Sequence, residues 1–484
     1  MRYIILLLAT AALTSSCKKS WLEIVPLGDR VAKTTDDYDK LMNNNAYYYT
    51  STGGWSEAQL MGDEVAAETP FFINFGIIRD RLFQWKDSIY TLPQQSPFTL
   101  SAHLEQMYTW NKVINEVMSS TDGSEANKKR VRAEARATRA WSNFNMANYY
   151  CKPYNAVSAS TDPGFPIITE PNVNTKTFPR GTVQEFYDFI IKDLKEALPD
   201  LAAKPNIVTR MSKPAAEGLL GKVYVFMGKF NEALPYLNDA VSHVTANGQT
   251  SFYDYNQTFL PNGAFMPINN TSGPNSPGQI RDDVREAVLS KVWYSGSYVG
   301  NVTGNNGLVL TPEAQALFTP GDFRLLFYTD RNPNNATNAA GRIRKYGVSY
   351  SRWGLQLAEL YLLRAECKAR LNDLGGAVAD LEMLRKNRMT PATYAVPGTV
   401  AGNQQALIRF VIDERTREFA GEGYRWFDMR RLSQDPLFAP ITFTHTMYNS
   451  DGTTSTYTLK QPNRLVMKFP RFIIDTNPEM ADNP

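Results

Sequence analysis

Between Ile412 and Leu432 the chain reads IDERTREFAGEGYRWFDMRRL, which crowds carboxylates and guanidiniums around aromatic side chains. Asp413 and Arg417 stand four apart, and Glu414 and Arg417 three apart, so both pairs can meet on a helix surface. Gly421 and Gly423 interrupt that helix. A second charged segment follows, in which Asp428 lies three residues from both Arg425 and Arg431. Two chemistries are open to such a set. Two of the carboxylates could act as an acid/base pair. Alternatively, they form an arginine–carboxylate lattice that fixes how two helices pack, since bidentate arginine pairs give orientation more than net stability. No His, Cys or Ser nucleophile lies nearby, which favours the lattice.

Elsewhere the sequence contains no glycine-rich phosphate loop, G-x-S-x-G elbow or H-E-x-x-H. The three histidines, His103, His243 and His445, are far apart and read as loop or helix-surface residues, so no metal or cofactor is expected. The 51 basic residues nearly balance the 48 acidic ones, which argues against a nucleic-acid binder. A glycosidase needs only two carboxylates, so the lack of a motif leaves that activity open.

Aromatic side chains in irregular stretches are the more informative feature. Sugar rings stack on Trp and Tyr, while their hydroxyls take hydrogen bonds from neighbouring polar groups. Trp293, Tyr294 and Tyr298 sit among Gly and Ser in a long insertion, and Trp55 follows Gly53-Gly54. These four, with Asp63 as a polar partner, are the candidate ligand contacts. Trp85 reads instead as a plug in the core. Asp63 and Glu64, adjacent in a loop, read as solvated carboxylates.

The elements that must position these residues are helical. Pro214 to Val241 carries Leu220, Gly221, Tyr224, Gly228, Phe230, Ala233, Leu237 and Ala240 at tetratricopeptide spacing, the signature of two close antiparallel helices. A second pair over 355–388 fits less well, because Lys368 occupies the Tyr position. One pair cannot bury its own face, so helices at 103–150 and 183–198 must stack beside it. Thr182 is the expected N-cap of the latter. A helical scaffold is expected over about 30–44, 103–245 and 352–432, with loop-rich insertions over 45–100 and 246–350. The tail, 433–484, opens with a surface β-hairpin around Asp451-Gly452.

At the N-terminus, Arg2, the apolar run Ile4 to Leu13 and the small residues Thr14-Ser15-Ser16 precede Cys17. Residues 1–16 read as a lipoprotein signal peptide, with Cys17 the acylated first residue of a single domain, 17–484. Lys18-Lys19 and then Trp21-Leu22-Glu23 and Pro26 form a tether to the first helix. With Cys17 spent, Cys151 and Cys367 cannot build a disulfide framework, and Cys367 reads as a small buried hydrophobe.

The charged stretch closely resembles the C-terminal signature of the SusD/RagB family, E-R-x-x-E-F-x-x-E-G-x-R-x-F-D-L-R-R. It is matched by Glu414, Arg415, Glu418, Phe419, Glu422, Gly423, Arg425, Phe427, Asp428, Arg430 and Arg431, with Met429 in place of Leu. The resemblance implies a mainly α fold of tetratricopeptide-like pairs with a loop-rich half. It also implies a non-catalytic, cofactor-free nutrient-binding lipoprotein, anchored in the outer membrane and facing outward. Such a protein captures an oligosaccharide and delivers it to a SusC-like TonB-dependent transporter. The same fold binding peptides, a glycan-degrading enzyme, and a pure scaffold for protein partners are the alternatives.

Overall fold

The computed structural model describes residues 32–484 apart from 45–48, 51–55, 70–76, 93–94, 96–97, 271, 295–307, 332–335, 339–340, 347–348 and 478. Cys17, Trp55 and Tyr298 therefore lie outside the described residues. Helices dominate: α1 (Thr35–Leu41), α2 (Phe98–Glu116), α3 (Glu125–Tyr150), α4 (Val183–Ala197), α5 (Lys213–Phe226), α6 (Phe230–Asn247), α7 (Leu357–Arg370), α8 (Leu374–Arg385), α9 (Gln404–Phe419) and α10 (Tyr424–Leu432). Successive helices pack side by side, α2 on α3, α3 on α4, α5 on α6, α6 on α7, and α7 on both α8 and α9.

Local chemistry explains the boundaries. Thr182 caps α4 in a capping box with Glu185, as its sequence position predicts. Ser212 accepts from the Ala215 N–H, and Pro214 occupies the first turn of α5. The chain turns into α6 through Gly228 at φ +72°. Gly221 sets the closeness of the α5–α6 crossing, because a Cβ there would stand 2.6 Å from Leu237 Cγ. In the α7–α8 pair the ill-fitting Lys368 has a reason: its Nζ lies 2.8 Å from Asp380, which also takes Arg364. An ion pair across the hairpin does what aromatic packing does in the first pair.

Three expectations need correction. The hairpin at the C-terminus exists, as Thr444–Tyr448 and Thr454–Thr458, but it is not a free surface element. Its first strand pairs parallel with Val65–Glu68, which pairs antiparallel with Leu308–Leu310, giving four strands. Val65–Glu68 is wholly buried within a stretch that looked irregular, because its alternation is hidden by two packed faces. His103 and His445 are core residues, not surface ones. The ring nitrogens of His445 face two carbonyl acceptors, Nδ1 2.5 Å from Phe83 and Nε2 2.6 Å from Gly62, and the ring stacks on Trp85 at 3.8 Å. Trp85 is the expected plug, its indole N–H donating to the Met61 carbonyl at 3.2 Å. Cys367 is buried and unpaired in any disulfide, as read. Among the described residues no helix is long and apolar enough to cross a membrane.

Candidate functional site

The helix α9 delivers Glu414, Arg415, Arg417 and Glu418 inward, and the Gly421–Gly423 break, with φ +71° and +90°, turns the chain so that α10 faces them. Glu414 is fully buried. Its Oε1 lies 2.7 Å from Arg324, and its Oε2 lies 2.6 Å from both Arg385 and Arg417. Burial opposes that charge, but the three guanidiniums outweigh it and hold the carboxyl far below the ordinary range. Glu418 takes Arg324 and Arg388 at 3.0 Å each and is likewise depressed against the penalty of burial. Asp428 bridges Arg415 at 2.9 Å and Arg431 at 2.8 Å, and Arg431 continues to Glu366 on α7 at 2.8 Å. Glu422 holds Lys345, and Arg425 holds Asp63 at 2.5 Å. Arg430 differs. Its guanidinium donates to the carbonyls of Leu465, Cys151 and Ala147, and burial without a carboxylate pulls it down to about 10.

Glu414, Glu418 and Asp428 are thus arginine-bound, with the charged form favoured in each, whereas Asp413 does not pair with Arg417 and burial raises its carboxyl. The lattice reading holds for Glu414, Arg415, Glu418, Arg425, Asp428 and Arg431 of the signature, while Arg430 is bound by backbone carbonyls. It also reaches further than the local spacing suggested. Asp428 pairs with Arg415 and Arg431 rather than Arg425, whose partner comes from the loop at Asp63. Asp63 is therefore not a solvated carboxylate; both its oxygens meet Arg425. Its neighbour Glu64 is buried and is pushed up to about 7, chiefly by desolvation and then by Asp63. Glu64 Oε1 accepts the Gly421 N–H at 3.2 Å, while Oε2 has no hydrogen-bond partner.

One wall of this lattice lines a cavity of about 130 Å³, whose other wall is the strand Tyr350–Arg352 and the loop at 276–278. Arg352 ties that loop to the strand by donating to the carbonyls of Ile280 at 2.6 Å and Pro277 at 3.0 Å. The cavity has room for a few waters and falls below the ~300–1,000 Å³ of ordinary ligand pockets. A sugar chain would have to bind outside it.

The strand Tyr350–Arg352 belongs to a three-stranded sheet that contains two of the sequence-derived ligand candidates, Trp293 and Tyr294. It pairs antiparallel with Val292–Tyr294, and Val292–Trp293 pairs parallel with Tyr49–Thr50. Parallel pairing puts the C-terminal ends of the latter two strands at one sheet end. Sequence reasoning could not bring these together, because they lie about 240 residues apart. Trp293 itself is a correction: its side chain is fully buried within the main core, so its ring offers no face to a ligand. Gly and Ser neighbours suggested an exposed loop, but residue 293 is the middle of a strand covered by the helices. Tyr294 ends that strand, opposite Tyr350.

Sequence reasoning missed a second hollow, an apolar groove of about 600 Å³ between α2, the segment 163–178 and the C-terminal tail. Its signal was present as Ile168 and Val173 in an irregular stretch, apolar residues with no periodicity to explain them.

Helix pairs at tetratricopeptide spacing, locked to a loop-rich half by a buried arginine–carboxylate lattice, define a class rather than a chemistry. Two family models cover the chain in succession. Residues 38–225 match one described as "Starch-binding associating with outer membrane", and residues 250–484 match the SusD family. The chain belongs to the SusD/RagB family. A SusD-like protein of Formosa agariphila is 23% identical over 330 residues, which span 56% of this chain and 64% of that relative's length. Solved structures share the fold. A SusD superfamily protein of Bacteroides vulgatus superposes with a TM-score of 0.69 at 19% identity, covering 93% of this chain and 99% of the other. One of Bacteroides thetaiotaomicron gives 0.67 at 18%, covering 93% and 100%. A SusD-like carbohydrate-binding protein of Bacteroides vulgatus gives 0.62 at 17%, covering 93% of each chain.

Proposed function

We propose that this protein is a non-catalytic, lipid-anchored component of the outer membrane that captures an oligosaccharide and hands it to a SusC-like TonB-dependent transporter. The observation that carries this is the pair of family matches over residues 38–225 and 250–484, the first described as starch-binding and outer-membrane-associated. Supporting it, Glu414, Glu418 and Asp428 of the signature stretch are taken up in ion pairs that hold helices together. The residues assigned to the ligand are Trp55, Tyr294 and Tyr298, of which Tyr294 ends the strand that carries the buried Trp293. Capture by stacking needs no covalent step and no cofactor.

Titration calorimetry of the full chain against a glycan panel tests this. A cognate glycan should appear, and Tyr298→Ala or Trp55→Ala should weaken it at least tenfold with an unchanged melting temperature. Unchanged affinity in both variants defeats the site, and binding of peptides but no glycan defeats the ligand class. New reducing ends in the incubation would make the protein an enzyme.

A further inference from the structure

The cavity beside the strand Tyr350–Arg352 holds a positive charge that no neighbouring carboxylate balances. Arg352 is only 9% exposed, and its guanidinium donates to backbone carbonyls alone, those of Pro277, Ile280 and Arg281. Among the described residues it forms no ion pair, and its Nε–H has no acceptor. The other cations on the cavity wall are matched: Arg324 and Arg417 meet Glu414, and Lys345 meets Glu422. The wall carboxylates of Glu286 and Glu418 are both held by Arg388. A guanidinium buried without a counter-charge is costly, and the same burial pulls the Arg352 pKa down.

A helix end opens on the same space. Gln356 is the N-cap of α7 and Ala358 its second residue, and both line the cavity. The Gln356 side chain does not cap the helix. It is 8% exposed, and its Nε2 amide has no hydrogen-bond partner. The Leu357 N–H donates to the Glu286 carbonyl at 2.8 Å. The N-terminus of a helix without a capping side chain carries partial positive charge and amides that suit an anion. Two buried donors without acceptors, an unmatched guanidinium and a helix N-terminus therefore meet at one cavity, and each calls for negative charge or an oxygen acceptor.

We infer that this cavity is an oxyanion site that takes one carboxylate, received by Arg352, the Gln356 amide and the first turn of α7. Its volume of about 130 Å³ equals a few waters at ~30 Å³ each, which accommodates a carboxylate but not a sugar chain. Tyr350 also lines it and stands opposite Tyr294 in the sheet, so the site borders a residue assigned above to the glycan. A glycan held there would address the cavity through an acidic substituent, which makes sugars bearing uronic acids the ligand class. That consequence rests on the function proposed above; the oxyanion site itself does not. A free small carboxylate is the other source of the same chemistry.

The test follows the melting temperature of the full chain in detergent as sodium acetate replaces sodium chloride at neutral pH and fixed ionic strength. A saturable rise is expected. Gln356→Met removes an unpartnered donor, and Gln356→Glu sets a like charge beside the bound carboxylate. Each variant should weaken acetate about tenfold, the loss expected for one hydrogen bond to a charged acceptor, while keeping the wild-type circular dichroism spectrum. No rise in the wild-type protein, or a rise that survives unchanged in both variants, overturns the site. Competition then names the source. Glucuronate that displaces acetate where glucose does not assigns the cavity to an acidic glycan, and an acetate response that glucuronate leaves untouched assigns it to a free carboxylate. Acetate binding without any glycan binding removes the function proposed above and keeps the oxyanion site.

Discussion

The charge lattice under α9 and α10 and the apolar groove beside α2 are opposite solutions to burial. In the lattice, guanidiniums and carboxylates taken out of water are matched so fully that Glu414 alone faces three arginines from three different elements. In the groove, apolar side chains are gathered but left partly uncovered. The lattice is specific because removing any member strands the others as buried charges, whereas the groove tolerates change because its rim residues have few neighbours. Rigidity therefore sits where the loop-rich half joins the helices, and adaptability sits at the other end.

Breaking the lattice should have the largest effect. Glu414→Ala leaves Arg324, Arg385 and Arg417 facing one another, and should cost about 3–5 kcal/mol in urea unfolding. A loss under 1 kcal/mol would mean that the lattice does not fix the packing. A buried carboxyl without an ion pair, Glu64, should behave in the opposite way. The folded Glu64 carboxyl is raised to about 7, so the stability it permits is full below its unfolded pKa of ~4.3 and is lost as pH rises to 7. Glu64→Gln should therefore stabilise the protein at pH 8, by up to ~3 kcal/mol, and change little at pH 4. The lattice carboxyls Glu414 and Asp428 have the reverse sign, because their folded pKa values are depressed. Their contribution is present above the ordinary carboxylate range and is lost only in strong acid. Thermal melts of wild type and Glu64→Gln from pH 4 to 8 check the sign at Glu64, and parallel curves would discard the buried-charge account.

Overpacking the helix pair comes next. Gly221→Ala pushes a methyl into Leu237 and should cost about 1–3 kcal/mol. At the groove, Val173→Ser should stay within about 0.5 kcal/mol of wild type by the same denaturant measurement, as an exposed substitution does. An effect as large as that at Gly221 would show that the rim is covered in the folded protein.

Much of the scaffold was legible because its signals are local. Thr182 and Glu185 make a capping box within one turn, and Leu220, Gly221 and Leu237 announce a close helix pair by spacing alone. The lattice was half legible. The residue types and the Glu414–Arg417 contact follow from helical periodicity, but Arg324, Arg385, Arg388 and Glu366 arrive from elements 30 to 90 residues away. The site was the least legible. Trp293 was read as exposed from its Gly and Ser neighbours, and burial of a strand centre is decided by what covers it. Asp63 and Glu64 looked alike, yet one meets Arg425 and the other is buried beside a turn.

The sequence alone determined the helix pairs, their caps, the break at Gly421–Gly423 and the kinship carried by Glu414 to Arg431, since each depends on side chains within a few turns of one another. Only the tertiary structure decided which carboxylate meets which arginine, which tryptophan is covered, and that strands about 240 residues apart end side by side. Those outcomes depend on contacts between distant segments, whose free energy is paid in loop closure and desolvation and leaves no periodic mark along the chain.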